Sequence, residues 1–380
     1  DPNLDVLHYE FEVEVFEQSS AMKGRATVKF NLSEGKEIEL DLVNLEGATG
    51  MEVEKVTMHG NTLAYIHAND KLMISDQTFS NETSNEIVIE YAGTPASGLI
   101  TGESIFGDWV YFGDNYPDRA RNWLPCVDHP ADKATVVWKV IVPKAYNVVA
   151  SGAYVGREDL SGHRVRYTYD EQVAISTKVM VFGAANFAID SVGIVDVVPV
   201  TTWVYEQNAE DGFIDFNVAS DVLAFLDELI GPYPYEKLAN VQSKTTYGGM
   251  ENAGNVFYFE KSVTGNQERE GLIVHELAHQ WFGNSVTEAD WPHAWLSEGF
   301  ASYMTHHYFE SKAGDEVLQQ RMAKDRGRVI SYYRKTPLPV VNEALVTAPK
   351  IQSLRELLST NTYQKGSWVL HMFRHEIGDD

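Results

Sequence analysis

The sequence predicts a multidomain protein, with an all-β N-terminal domain followed by an α+β domain. Three observations carry this reading. At 380 residues the chain is too long for one ordinary core. Its first part alternates apolar and polar residues between clusters of Gly, Asn, Asp and Ser. Past about residue 205 the apolar residues instead recur at three- and four-residue spacing. A content of 44% apolar and 12% aromatic residues is that of a folded globular chain.

The strand signals come first. "DVLHYEFEVEVF" (Asp5 to Phe16), "EIVIEY" (Glu86 to Tyr91), "TVVWKVIV" (Thr135 to Val142) and "HRVRYTY" (His163 to Tyr169) are rich in Val, Ile and aromatics. They predict a β-sandwich or a large open sheet. "FIDFNVASDVLAFLDELIG" (Phe213 to Gly231) then reads as an amphipathic helix with glycine past its end, and "PYPY" stops it. Strands are expected near 240–245 and 255–260, and helices at about 268–283, 296–311, 315–333 and 362–377. The change of character lies near 190–205, which gives domains of 1–195 and 196–380.

Thirty basic residues face 55 acidic ones, a net charge of -25. That balance excludes nucleic acid and anionic lipid as partners. It suits a substrate with positive charge, though a solubilised surface is the simpler reading. No run of apolar residues is long enough to span a membrane. Cys126 is the only cysteine, which excludes an intrachain disulfide and a Cys-based metal site; it reads as a small buried hydrophobe. A start at Asp1 without a leader is read as a trimmed product, and the compartment (cytoplasmic, periplasmic or secreted) stays open.

The chemistry concentrates in "LIVHELAHQWFGNSV" (Leu272 to Val286). On a helix His275 and His279 are i and i+4, so both imidazoles leave one face, at the spacing two ligands of a single metal need. The segment around them is apolar, and imidazoles and a carboxylate there are costly unless satisfied. A metal satisfies them; hydrogen bonds to other side chains are the alternative. The longer motif with a third histidine is excluded, because Phe282 and Ser285 occupy its Gly and His positions. A carboxylate from a following helix remains. In "AWLSEGFASYMTHHY" Glu298 lies off the apolar stripe Leu296, Phe300, Met304 and Tyr308, free to point elsewhere. A helical glutamate is ordinarily a solvated one.

His275-Glu276-x-x-His279 followed by Glu298 resembles the glutamate-zincin aminopeptidases, the aminopeptidase N family. Three further stretches agree: "RARNWLPCVDHPADKAT" (Arg119 to Thr135), "YGGMENAG" (Tyr247 to Gly254) and "NTYQKGSWVLHMF" (Asn361 to Phe373). "GGMEN" is similar also to the leukotriene hydrolase branch. The resemblance implies a saddle-like β-domain and a thermolysin-like catalytic domain. It also implies that this domain is cut short at Asp380 and that later helical modules are missing. If such a segment normally covers helix 362–377, that helix will show an apolar outer face.

The resemblance further implies one Zn²⁺ per chain, held by His275, His279 and Glu298. Glu276 points a different way along the helix and is the general base for a zinc-activated water. Tyr363 is implied as the donor to the developing oxyanion. Gly248, Gly249, Met250, Glu251 and Asn252 are implied as the substrate-binding strip, with Glu251 gripping a free α-amine. The family's second amine-binding acid is missing: Tyr116 stands in its place, and Asp114 is the candidate substitute. The implied activity is removal of N-terminal residues from peptides. The alternatives are an epoxide hydrolase like the leukotriene branch and an inactive peptide-binding fragment.

Overall fold

The computed structural model describes residues 3–341 and 357–378. Residues 3–186 form three sheets. In the largest, the strands run in the order 153–160, 164–176, 133–143, 4–15, 22–32, 85–94, 50–58 and 61–62. All neighbours are antiparallel except Leu4–Val15 with Lys133–Pro143, which are parallel. The alternation read from the sequence is the physical one: in Met22–Leu32 every second residue is buried, from Met22 to Leu32. Sheets of four and three strands pack nearby. Trp138 is the hub of this core, with Trp123 stacked at 5.8 Å and Phe11 and Phe182 at 5.3 and 5.8 Å. Cys126 is fully buried, and burial pushes its thiol far above the usual range.

A five-stranded sheet opens the second domain, in the order 187–195, 198–205, 238–243, 255–259 and 249–250. Phe187–Val195 pairs with Val198–Tyr205 in this sheet. Strand pairing therefore passes to this sheet after residue 186. A hairpin has to stay with its partner strand, and polarity patterns do not reveal which sheet it joins.

The helices are α1 (Ala209–Phe216), α2 (Ala219–Ile230), α3 (Glu270–Ala278), α4 (Ala294–Ala313), α5 (Asp315–Tyr333) and α6 (Gly366–Ile377). The helix expected over 213–231 is thus two, broken at Asn217 and Val218 and ended by Gly231 at φ 123°. α3 is shorter than its apolar pattern. Asp215 accepts hydrogen bonds from the backbone of Thr264, Gly265 and Gln267, which fixes the loop ahead of it and leaves Glu268 outside the helix. Glu270 opens α3 and ties it to α4 through Tyr308 and Lys312, at 2.8 and 2.6 Å.

α4 keeps only part of the expected burial: Tyr308 of the predicted stripe is buried and Phe300 and Met304 are half-buried. Its buried side includes Ser297, Glu298, Gly299, Ala301, Thr305 and His306. Leu296, on the predicted apolar stripe, is 39% exposed. Small and polar residues face inward because α3 and α6 approach closely there. A Cβ on Gly299 would stand 3.0 Å from Gly366 Cα. α6 shows an apolar outer face: Met372, Phe373 and Ile377 are 64, 60 and 58% exposed.

Trp138→Ala should cost about 3–5 kcal/mol through the cavity it leaves, read as a lower urea midpoint for the transition reporting the β-domain. A shift under ~1 kcal/mol would mean that the Trp123, Phe11 and Phe182 rings collapse into the space.

Candidate active site

α3 and α4 bring His275, His279 and Glu298 together. The His275 and His279 Nε2 atoms are 3.2 Å apart, and each is 3.2 Å from Glu298 Oε2. The three donors form an equilateral triangle. Ligands about 2.0–2.2 Å from a tetrahedral zinc stand roughly 3.3–3.6 Å from one another, so the donor set fits such an ion with little adjustment. His279 Nδ1 lies 3.0 Å from the Phe282 carbonyl and 3.0 Å from Ser297 Oγ. A proton on Nδ1 directed at that carbonyl leaves the Nε2 lone pair facing the triangle. Gly283, at φ 123°, turns the chain after α3, and a side chain there would strike the Ser297 hydroxyl.

The charges agree with the geometry. Burial disfavours a protonated His279, yet the Glu251 and Glu298 carboxylates outweigh it and push the ring up to about 10. Burial also opposes ionisation of Glu298, but the His279 and His275 rings hold its carboxyl well below the usual range. Burial pushes Glu276 far up, with Glu251 and Glu298 adding to it against His279. The field that favours a proton at His279 equally favours a divalent cation among the donors.

These groups open into a cavity of about 240 Å³, lined also by Tyr116, Tyr247, Gly248, Gly249, Met250, Glu251, Glu276 and Tyr363. Glu251, Glu276 and His279 offer atoms within 4.8 Å of one another. A side chain at Gly249 would run into the Glu276 carboxylate, so glycine there gives that group its room. Gly249–Met250 is the edge strand of the five-stranded sheet, paired with Phe257 and Tyr258.

Tyr363 sits in a π-helical turn, Asn361–Lys365, ahead of α6. Its hydroxyl donates to Glu298 Oε1 at 3.0 Å, and its ring stacks on His275 at 5.8 Å. Burial, reinforced by Glu298, pushes the phenol far up and keeps it a proton donor.

Two of the expected substrate-binding residues fall elsewhere. Asp114 does not reach the cavity: it is fully buried and paired with Arg119 at 2.7 Å. An ionised carboxylate without water needs that guanidinium, so Asp114 is not available for an amine. Asn252 is also fully buried and lies behind the lining. Tyr116 does line the cavity, wedged edge-on against Tyr247 and Trp291 at 6.4 and 5.9 Å.

Residue patterns did not point to several supports. Gln280 donates to the Glu251 carbonyl at 2.9 Å and accepts from Gly254 N at 3.0 Å. Asn284 donates to the same Glu251 carbonyl at 2.6 Å. Ser297 directly precedes Glu298, and a hydroxyl there carries no signal by itself.

Two histidines and a glutamate around a carboxylate-rich cavity, beside a β-sheet domain, form a donor set that could hold one divalent cation. Residues 6–179 match the Peptidase M1 N-terminal domain and residues 214–380 the Peptidase family M1 domain. The chain belongs to peptidase family M1. It is similar to probable aminopeptidase 1 of Sulfurisphaera tokodaii, 25% identical over 99% of this chain and 47% of that one. Leucyl aminopeptidase of Saccharolobus solfataricus is 25% identical over 99% and 48%. Human glutamyl aminopeptidase is 28% identical over 70% and 28%. The chain thus spans about half the length of the curated relatives that it matches throughout. Among solved structures, the M1 zinc metallopeptidase of Deinococcus radiodurans aligns with a TM-score of 0.81 at 25% identity, over 100% of this chain and 84% of that one. Yeast LTA4 hydrolase aligns at 0.84 with 20% identity over 99% and 60%, a likeness of fold alone. No helix among the described residues is long and apolar enough to cross a membrane.

Ser297→Ala should weaken metal binding by roughly tenfold by loosening His279, measured by competition with a chromogenic chelator. Unchanged affinity would leave the Phe282 carbonyl as the sole orienting group.

Proposed function

We propose that this chain carries the catalytic centre of a zinc aminopeptidase, with one zinc per chain held by His275, His279 and Glu298. The triangle of donors 3.2 Å apart, with Glu276 and Glu251 in the same cavity, is the observation that supports it most directly. Zinc bound there supplies a Lewis acid that acidifies water and polarises the scissile carbonyl. Everything else falls to the chain's own groups.

Glu276 takes the proton of the attacking water and delivers it to the leaving amine. Its raised proton affinity suits a group that must hold a proton between these two events. Tyr363 donates its hydroxyl hydrogen to the oxygen that gains charge, swinging from Glu298 to do so. Glu251 holds the substrate's free α-amine, while Gln280 and Asn284 fix the backbone that carries it. The Gly248–Gly249 backbone receives the substrate as a further strand. Tyr116 walls the cavity with a ring where the family carries an acid. The amine is then held by one carboxylate from this strip, and the first side chain meets an aromatic wall.

Zinc-loaded protein should cleave an aminoacyl chromogenic amide and leave its N-acetylated form intact, and a chelator should stop the reaction. Equal cleavage of both would point to an endopeptidase. Glu276→Gln should lower kcat by about a thousandfold or more while metal analysis still finds one zinc per chain. Unaltered turnover would remove Glu276 from the proton transfers.

A further inference from the structure

A second cavity, of about 650 Å³, adjoins the first and shares Leu272, His275 and Tyr363 with it. Its walls carry Arg269 ahead of α3 and Arg321, Lys324 and Arg328 on α5. The one carboxylate lining it, Asp325, is already engaged, by His306 at 2.8 Å and by Arg328 at 3.6 Å. Arg321 donates to His306 Nδ1 at 3.0 Å and lies over the Phe309 ring at 4.2 Å, which fixes its position. Among the described residues, Arg269 and Lys324 face no carboxylate within ion-pair distance.

In a chain of net charge -25 this cluster goes against the general balance. Arg321, Lys324 and Arg328 recur at i, i+3 and i+7, so one face of α5 presents three cations. Asp325 compensates Arg328, while Lys324 stands four residues from Arg328, a like-charge spacing that does not favour the helix. The two cavities therefore differ in sign: Glu251, Glu276 and Glu298 line one, and the cations line the other, with His275 and Tyr363 at the junction.

Taking the aminopeptidase reading as its basis, we propose that the 650 Å³ cavity binds a carboxylate of the substrate beyond the scissile bond, the free C-terminus of a short peptide. With the amine held at Glu251 and the reacting carbonyl at the His275–Tyr363 junction, the residues that follow enter the cationic cavity. The enzyme is then a di- and tripeptidase by charge at both ends of its substrate.

The test compares kcat/KM for Leu-Ala, Leu-Ala-amide and Leu-Glu-amide on the zinc-loaded protein, with leucine p-nitroanilide as the reference. The free acid should exceed its amide at least tenfold, as a desolvated charge-assisted contact gives. Arg269→Gln combined with Lys324→Gln should collapse that ratio towards one; a merely structural effect would lower both substrates together and leave the ratio in place. A ratio near one in the parent protein, or a ratio that the double variant leaves unchanged, overturns the proposal. Faster turnover of Leu-Glu-amide alone keeps carboxylate recognition but overturns the C-terminus as its source. If the p-nitroanilide is not cleaved, the aminopeptidase reading fails, and calorimetry decides the cavity separately. Tighter binding of Leu-Ala than of Leu-Ala-amide supports the cavity's role, and equal binding overturns it.

Discussion

The constraint on which the catalytic domain depends is electrostatic. Three carboxylates and two imidazoles share one small cavity, and Glu251, Glu276, His279 and Glu298 are at most 6% exposed. Each buried ion costs several kcal/mol after relaxation. That cost is tolerable only if positive charge enters the cluster, and the triangle of donors is where it can enter. The surrounding architecture meets this need. α3 and α4 cross where Gly283 and Ser297 let the chains come close, and α4 meets α6 at Gly299 and Gly366. That second contact carries the turn holding Tyr363 onto Glu298.

The β-domain is part of the same arrangement. Lys178 and Glu288 form an ion pair at 2.5 Å with both side chains 1% exposed, joining the domains. The Lys178 ammonium also lies 5.8 Å from the centres of the Tyr116 and Trp291 rings. Lys133 donates to the carbonyls of Asn284 and Ser285 at 3.0 and 2.8 Å, just past the turn that ends α3. Tyr116 is therefore held from both domains, and the cavity has a wall that the catalytic domain alone would not supply. Breaking one partner of a buried pair leaves an unpaired charge behind, so the domain contact and the cavity shape are linked.

Much of this was legible in the sequence. Period-two alternation marks the strands because one face of each is buried. The i, i+4 histidines mark a shared helix face because helical geometry is local. Four separated motifs mark the family. Other features were not legible. Of the stripe Leu296, Phe300, Met304 and Tyr308, only Tyr308 is fully buried and Leu296 is exposed; small and polar residues such as Ser297, Gly299 and Ala301 also face inward, because neighbouring helices approach within contact of glycine. Asp114 looked available as a second acid, yet Arg119 takes it. Which sheet the hairpin 187–205 joins was not legible either, because pairing partners are chosen in three dimensions.

The sequence by itself determined the elements, the donor types and the sign of the overall charge, since these follow from local spacing and composition. Only the tertiary structure decided which carboxylates meet, which are neutralised out of reach, and that a cationic cavity adjoins an anionic one across His275 and Tyr363. Those outcomes depend on distances between residues far apart in the chain, and no local pattern encodes them.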